Sequence, residues 1–309
     1  MPQGNPANPA VRAVLKITYR CNQRCLFCRA DAWRGEVPDL PAEAVVRKAL
    51  EARNRGATMV VFSGGEPLLR RDLPRLARAV GALGLSFGLI TNGRRLADPE
   101  VRRRLLDLGL AYVHTSLHGS TPEVHDRLVA DPGSFRDVMA ALEGLKDSGV
   151  ERHVNTVLTR DNLDQVTAIT GLLVPLGPLS HKLCLAEPRG PLPGIDWSLL
   201  PPPEAAGQAA QQAVVWAESR LAGSGIQIVV EGFPLCQIPS ATHAVSGLRA
   251  HGILWISEGF EDDLYPTDAG PRVFPPICET CARRTECPGV YPGYAERYGV
   301  IGLRAFRRR

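Results

Sequence analysis

The stretch TYRCNQRCLFCRA, residues 18–30, places Cys21, Cys25 and Cys28 within eight positions, flanked by Asn22, Arg24 and Phe27. Three thiols this close read as a metal-binding loop. A structural zinc ion would ask for a fourth ligand, and the nearest candidates, His114 and His118, lie far along the chain. A redox thiol pair would need only two cysteines. A [4Fe–4S] cluster on three thiolates leaves one iron open to a small chelating molecule, and the spacing favours this reading over zinc. Four more cysteines, Cys236, Cys278, Cys281 and Cys287, stand in the last quarter of the chain. They form a second potential ligand set, for zinc stapling a loop-rich region or for another cluster. Cys184, inside the apolar run HKLCLAE, reads as a buried core thiol, with a ligand role as the alternative.

These loops need a scaffold, and the apolar pattern describes one. Strand-length runs (AVLKITY, TMVVF, SFGLIT, AYVHTSL, RHVNTVLT, HKLCLAE) alternate with helical patterns near 41–55, 73–83, 99–108, 133–149 and 163–176. Ser134 is the expected N-cap of the fourth helix and Gly149 its stop. Six βα-type units imply parallel strands joined by right-handed crossovers. Six are too few to close an eight-stranded barrel, so the expected fold is α/β, a partial (β/α)6 TIM-like barrel with its chemistry at the C-terminal strand ends. Residues 1–12 read as a flexible arm, 13–190 as the barrel, and 191–309 as a small, loop-rich, cysteine-containing extension opened by a proline-started helix and the strand IQIVV.

Composition narrows the class. A chain of 309 residues with 44% hydrophobic content can bury a sizeable core. A net charge of +4 is too small for a nucleic-acid footprint without clustering, and the terminal RAFRRR is expected to be a solvated tail. No apolar stretch reaches membrane-span length and the N-terminus has no signal-peptide pattern, so a cytoplasmic, reducing location is expected and the cysteines are ligands rather than disulfides.

C-x3-C-x2-C with Phe27 before the third cysteine, SGGEP after the second strand, TNG after the third and SLHG after the fourth resemble the radical S-adenosylmethionine (SAM) superfamily, over about residues 13–187. The resemblance implies that the open iron takes the amino and carboxylate groups of SAM, and that reduction releases a 5′-deoxyadenosyl radical which abstracts a substrate hydrogen. By the same resemblance Gly64 and Gly65 let backbone approach the methionine end, Glu66 accepts from its ammonium, Phe27 lies beside the adenine, and Thr91, Asn92, Ser116 and Asn155 are SAM contacts. The C-terminal cysteines resemble the Twitch and SPASM extensions, where an auxiliary [4Fe–4S] cluster faces the first; four ligands fit the one-cluster Twitch type.

No catalytic side chain is singled out. His118, His125, Lys182, Glu187 and Arg189 could line the opening or be structural, and Tyr291, Tyr294 and Tyr298 read as packing. The resemblance implies an enzyme maturing a ribosomally made peptide, with flavodoxin or ferredoxin as electron donor and neither membrane nor nucleic acid as partner. The alternatives are oxidation or epimerisation of a small molecule of aminoglycoside type, a molybdenum-cofactor GTP cyclase-like activity, or a non-enzymatic iron–sulfur electron carrier. Two clusters set a count. Anaerobically reconstituted chain should hold about eight irons and little zinc, and changing Cys21, Cys25 and Cys28 together to Ala should remove about half; about four irons with stoichiometric zinc in the parent would assign the second set to zinc.

Overall fold

The computed structural model describes residues 11–186, 196–221, 223, 225–246, 251–260, 263–267 and 271–307. Most of the expected arm, together with Glu187, Arg189 and the boundary at residue 190, lies outside them. Nine strands form one sheet in the order β7-β6-β5-β4-β3-β2-β1-β8-β9. The expected six are β1 (Arg12–Thr18), β2 (Met59–Gly64), β3 (Ser86–Ile90), β4 (Leu110–Ser116), β5 (Glu151–Leu158) and β6 (Ser180–Leu185). Each pairs in parallel with its neighbour. This is the parallel α/β architecture of a partial barrel.

The sheet runs further than the sequence reading placed it. β7 (Gln227–Glu231) joins β6 in parallel, β8 (Ile253–Ser257) joins β1 in parallel, and β9 (Tyr265–Pro266) adds an antiparallel edge. A change of pattern near residue 190 therefore marks a change in chain path without ending the sheet. The core is shared as well. Leu183, Leu185, Val230 and the inner face of α7 (Pro203–Arg220) pack in one cluster with Val290, Tyr291, Tyr294 and Leu303.

The outer helices follow local rules. α1 (Ala42–Asn54) buries Ala44, Val45, Ala49 and Ala52 as its periodicity predicts, and also Lys48, whose Nζ donates to Ser257 Oγ on β8 at 2.6 Å. α2 (Leu73–Ala82) and α3 (Pro99–Asp107) carry proline in their first turns, where the missing N–H costs nothing. α4 (Pro122–Val129) was not anticipated. α5 (Ser134–Gly144) starts one residue earlier than expected, with Gly133 as N-cap at φ +80°. Ser134 is thus not the cap, and its hydroxyl is used elsewhere. α6 (Val166–Leu173) and α8 (Pro292–Tyr298) complete the helices. Among the described residues no helix is long and apolar enough to cross a membrane.

The floor of the barrel is polar. Arg12 donates to Glu151 and to the His251 carbonyl, and its guanidinium lies 4.7 Å from the centre of the Tyr112 ring. His153 bonds Glu151 at 2.8 Å and Ser180 Oγ at 2.7 Å, and Ser180 Oγ reaches His251 Nε2 at 3.1 Å. The network brings β1, β5 and β6 together with the segment that leads into β8, although β8 pairs in the sheet with β1 alone of these.

Buried histidines make the fold acid-sensitive. Burial depresses His181 and His251 from 6.5 to about 3, the latter also through the charges of His153, Lys182 and Arg12, and depresses His125 to about 4. Below pH 6.5 the unfolded chain takes up protons that these folded imidazoles refuse, so stability falls as the pH drops from 6.5 towards 3. Thermal midpoints should therefore decline steadily from pH 7 to pH 4. In His181→Gln, which removes the imidazole held between Thr156 and Thr170, the decline should be shallower.

Candidate functional site

The cysteine loop leaves β1 and crosses the end of β2. Gly65 N donates to Thr18 O and Glu66 N to Arg20 O, both at 2.7 Å. A Cβ at Gly64, whose φ is +125°, would stand 1.9 Å from Thr18 O, and one at Gly65 would stand 2.3 Å from Arg20 O. Both glycines are required by the chain's own crossing, and both also line the cavity beside the loop. On its far side the loop is held by Arg24 N to Val129 O (3.1 Å) and Leu26 N to Leu128 O (2.9 Å), at the end of α4. Gln23 Nε2 donates to Ser134 Oγ at 2.6 Å, and Ser134 Oγ also meets His125 Nε2 at 3.3 Å.

So held, Cys21, Cys25 and Cys28 line a cavity of about 190 Å³ at the C-terminal strand ends. Phe27, Gly64, Gly65, Thr91, Asn92, Ser116, Asn155 and His118 line it with them. Glu66 does not. It is fully buried, and its carboxylate accepts from Leu68 N (2.9 Å), Thr91 Oγ1 (2.8 Å) and Asn92 N (2.8 Å). Burial raises its carboxyl above the usual range, against the pull of those donors. Glu66 therefore ties the tip of β2 to the tip of β3, and Thr91 spends its hydroxyl on that tie.

Asn92 Nδ2 donates to Asn22 Oδ1 at 2.7 Å and approaches Cys21 Sγ at 3.8 Å. Phe27 packs edge-on to His118, ring centres 4.6 Å apart. His118 Nδ1 accepts from Val157 N at 3.1 Å, and burial keeps its ring neutral, well below 6.5. His125 stays behind the wall, where its Nδ1 accepts from His118 N at 3.0 Å. Lys182, buried on β6, pairs with Glu231 at 3.1 Å, and neither it nor Cys184 lines a cavity described here.

The cavity's chemistry fits a cationic cluster with a polar ligand. Burial drives the Cys25 and Cys28 thiols upward, as it does Cys21, and Cys25 is raised further by its two neighbours, so a bound cationic cluster core would favour their thiolate forms. Asn155 Oδ1 is buried without a hydrogen-bond partner among the described residues. Arg34, a lining residue that no motif picks out, leaves Nε and one terminal nitrogen buried and unpartnered while its other arm pairs with Asp31 at 2.9 Å. Tyr19 and Gln23 also line the cavity; they sit within or beside the cysteine motif, yet nothing in the sequence marks them.

The second cysteine set gathers too. Cys236, Cys278, Cys281 and Cys287 stand around a small cavity of about 20 Å³, lined also by Phe274, Val290, Leu303 and Phe306. Among the described residues no three His, Cys, Asp or Glu converge to hold a single metal ion. Tyr291 and Tyr294 are buried packing residues, as expected, and the Tyr294 ring stacks on Tyr298.

The model of the radical SAM superfamily matches residues 15–172. The chain is 34% identical over 218 residues to a PqqA peptide cyclase of Ruegeria pomeroyi, covering 70% of this chain and 58% of that protein. It is 33% identical over 188 residues to an AdoMet-dependent heme synthase of Oleidesulfovibrio alaskensis, covering 59% and 47%. The matches thus span about half the length of these curated relatives. In fold it is similar to Streptococcus suis SuiB bound to SAM, with TM-score 0.67, 14% identity, and coverage of 97% of this chain and 76% of that one.

The position of Glu66 yields a test. Glu66→Ala leaves three donors without their acceptor and should lower stability by roughly 2–4 kcal/mol even without SAM. Its SAM affinity should fall as Thr91 and Asn92 lose their anchor. A thermal melt of the ligand-free chain reads the first effect and equilibrium dialysis the second.

Proposed function

Because the chain belongs to the radical SAM superfamily, we propose that it is an enzyme holding a [4Fe–4S] cluster on Cys21, Cys25 and Cys28, binding SAM beside it, and maturing a ribosomally made peptide. The observation that carries this is the joint lining of one cavity by three thiols of a single loop and by an unpartnered, buried Asn155 Oδ1. When bound, the cluster and SAM supply one-electron cleavage of the sulfonium and a radical that removes a substrate hydrogen.

The protein's part is to bind, orient and exclude water. Gly64 and Gly65 present backbone to the methionine end, while Glu66 acts through Thr91 and Asn92 rather than by contact. Ser116 at the end of β4 and Asn155 within β5 offer polar atoms beside each other. Phe27, braced edge-on by neutral His118, forms an apolar wall suited to the adenine. Arg34 lines the same space and leaves Nε and one terminal nitrogen buried without a partner among the described residues.

Cys236, Cys278, Cys281 and Cys287 are the proposed ligands of a second [4Fe–4S] cluster of Twitch type. Four thiols ringing a cavity suit a four-iron cube, whereas one zinc ion would draw them to a point. With all four irons ligated, this site would exchange electrons rather than chelate substrate, and a flavodoxin or ferredoxin is the proposed donor to the pair.

The peptide reading rests on likeness to a PqqA peptide cyclase; SuiB contributes fold alone. Likeness to a heme synthase favours the second reading, a small-molecule substrate. Both predict slow formation of 5′-deoxyadenosine without substrate, under strong reductant, abolished by Cys25→Ala. Cys281→Ala should retain that cleavage yet lose product formation on a precursor peptide, read as a mass change. A soluble Cys281→Ala chain without the second cluster that still turns over at the parent rate would remove the assigned role.

A further inference from the structure

Residues 303–306, at the start of the terminal basic stretch, are held against the protein where a solvated tail was expected. Leu303 is buried in the core that β6, β7 and α7 share, and Phe306 O accepts from Ala282 N at 2.9 Å. The Arg283 guanidinium lies 5.4 Å from the Phe306 ring centre. Between Leu303 and the Phe306 ring, a backbone N–H points at a cysteine sulfur: Phe306 N donates to Cys281 Sγ at 3.4 Å. Gly289 N donates to Cys287 Sγ at 3.5 Å from the opposite wall.

We propose that residues 303–306 are a built-in strap over the second cysteine site, and that the backbone N–H group of Phe306 tunes the reduction potential of the cluster held there. This rests on the cluster reading given above. An N–H directed at a ligating thiolate draws charge from sulfur, stabilising the reduced, more negative cluster and raising its potential. Phe306 is a positioning residue, acting through Cys281. Its side chain is secondary to its amide, so a substitution that keeps the N–H keeps the effect.

The test uses the full-length chain with Cys21, Cys25 and Cys28 changed to Ala, reconstituted anaerobically with iron and sulfide so that only the second site loads. Iron near four per chain upholds the cluster reading, and none retained would end that reading and the strap's role with it. Given a loaded site, Phe306→Pro deletes the N–H and should lower the reduced-to-oxidised ratio at fixed potential about tenfold, about 59 mV for one electron. Phe306→Leu should titrate with the parent. Coincident titration of Phe306→Pro and the parent would overturn the proposal while leaving the cluster in place. If Phe306→Pro cannot hold iron, the decision passes to the unsubstituted strap labelled with 15N-phenylalanine. Electron spin-echo modulation of the reduced site should then contain a coupled 15N from the Phe306 amide, and a spectrum without it overturns the strap's role.

Discussion

The crossing of the cysteine loop over the end of β2 is the contact on which the rest of the site depends. Two backbone hydrogen bonds, Gly65 to Thr18 and Glu66 to Arg20, draw the strands closer than any side chain at 64 or 65 would allow. That proximity sets where Cys21 leaves β1. It also turns Glu66 inward, where its carboxylate is removed from water. Burying a carboxylate costs several kcal/mol unless donors surround it. The donors come from the next strand end, so the cost of one buried charge is offset by fixing Thr91 and Asn92 beside the cavity.

The strands and their order were readable because strands of a parallel sheet, covered on both faces, appear as continuous apolar runs. β2 is an instance, with Met59 to Ser63 buried without alternation. The chemistry was readable for a related reason: the loops that carry it follow those runs directly. What could not be read was anything that depends on a distant partner. The five-residue run at β7 says nothing about which edge it will join, and β8 reaches β1 from about 240 residues away. α4 has eight residues, too few for periodicity to distinguish it from a loop. Ser134 obeys the local rule for a helix cap and breaks it because Gln23 and His125 claim its hydroxyl. Glu66 sits in the right motif, yet only coordinates reveal that its acceptors are already occupied.

The polar floor shows how an open parallel sheet can be drawn round without a full set of ladder bonds. Arg12 spans the lumen from β1 to Glu151 on β5, while Ser180 on β6 links His153 to His251, just ahead of β8. Side chains do here what backbone pairing does in a closed barrel. The same groups are costly to strip of partners, and His114 Nε2 and His251 Nδ1 have none among the described residues. Rigidity at the floor therefore comes with acid sensitivity, while the opposite, C-terminal end is left to loops that carry ligands.

The two cysteine sites differ in what holds them. The first hangs from strand ends, so the sheet itself determines its shape. The second is assembled from the turn after β7, the loop from Cys278 to Cys287 and the C-terminal strap, with little regular structure among them. Loops of that kind have few bonds of their own and hold a geometry when something they surround holds it. Yet the second site is not free to wander. Cys236 follows β7 by five residues, β7 is hydrogen-bonded into the sheet through β6, and Lys182 pairs with Glu231 across that junction. Tyr291, Tyr294 and Leu303 seal the same core from the other side. The separation between the two sites is consequently set by sheet register rather than by a linker. That is the arrangement required if electrons pass between them, because transfer tolerates soft ligand loops far better than a variable distance.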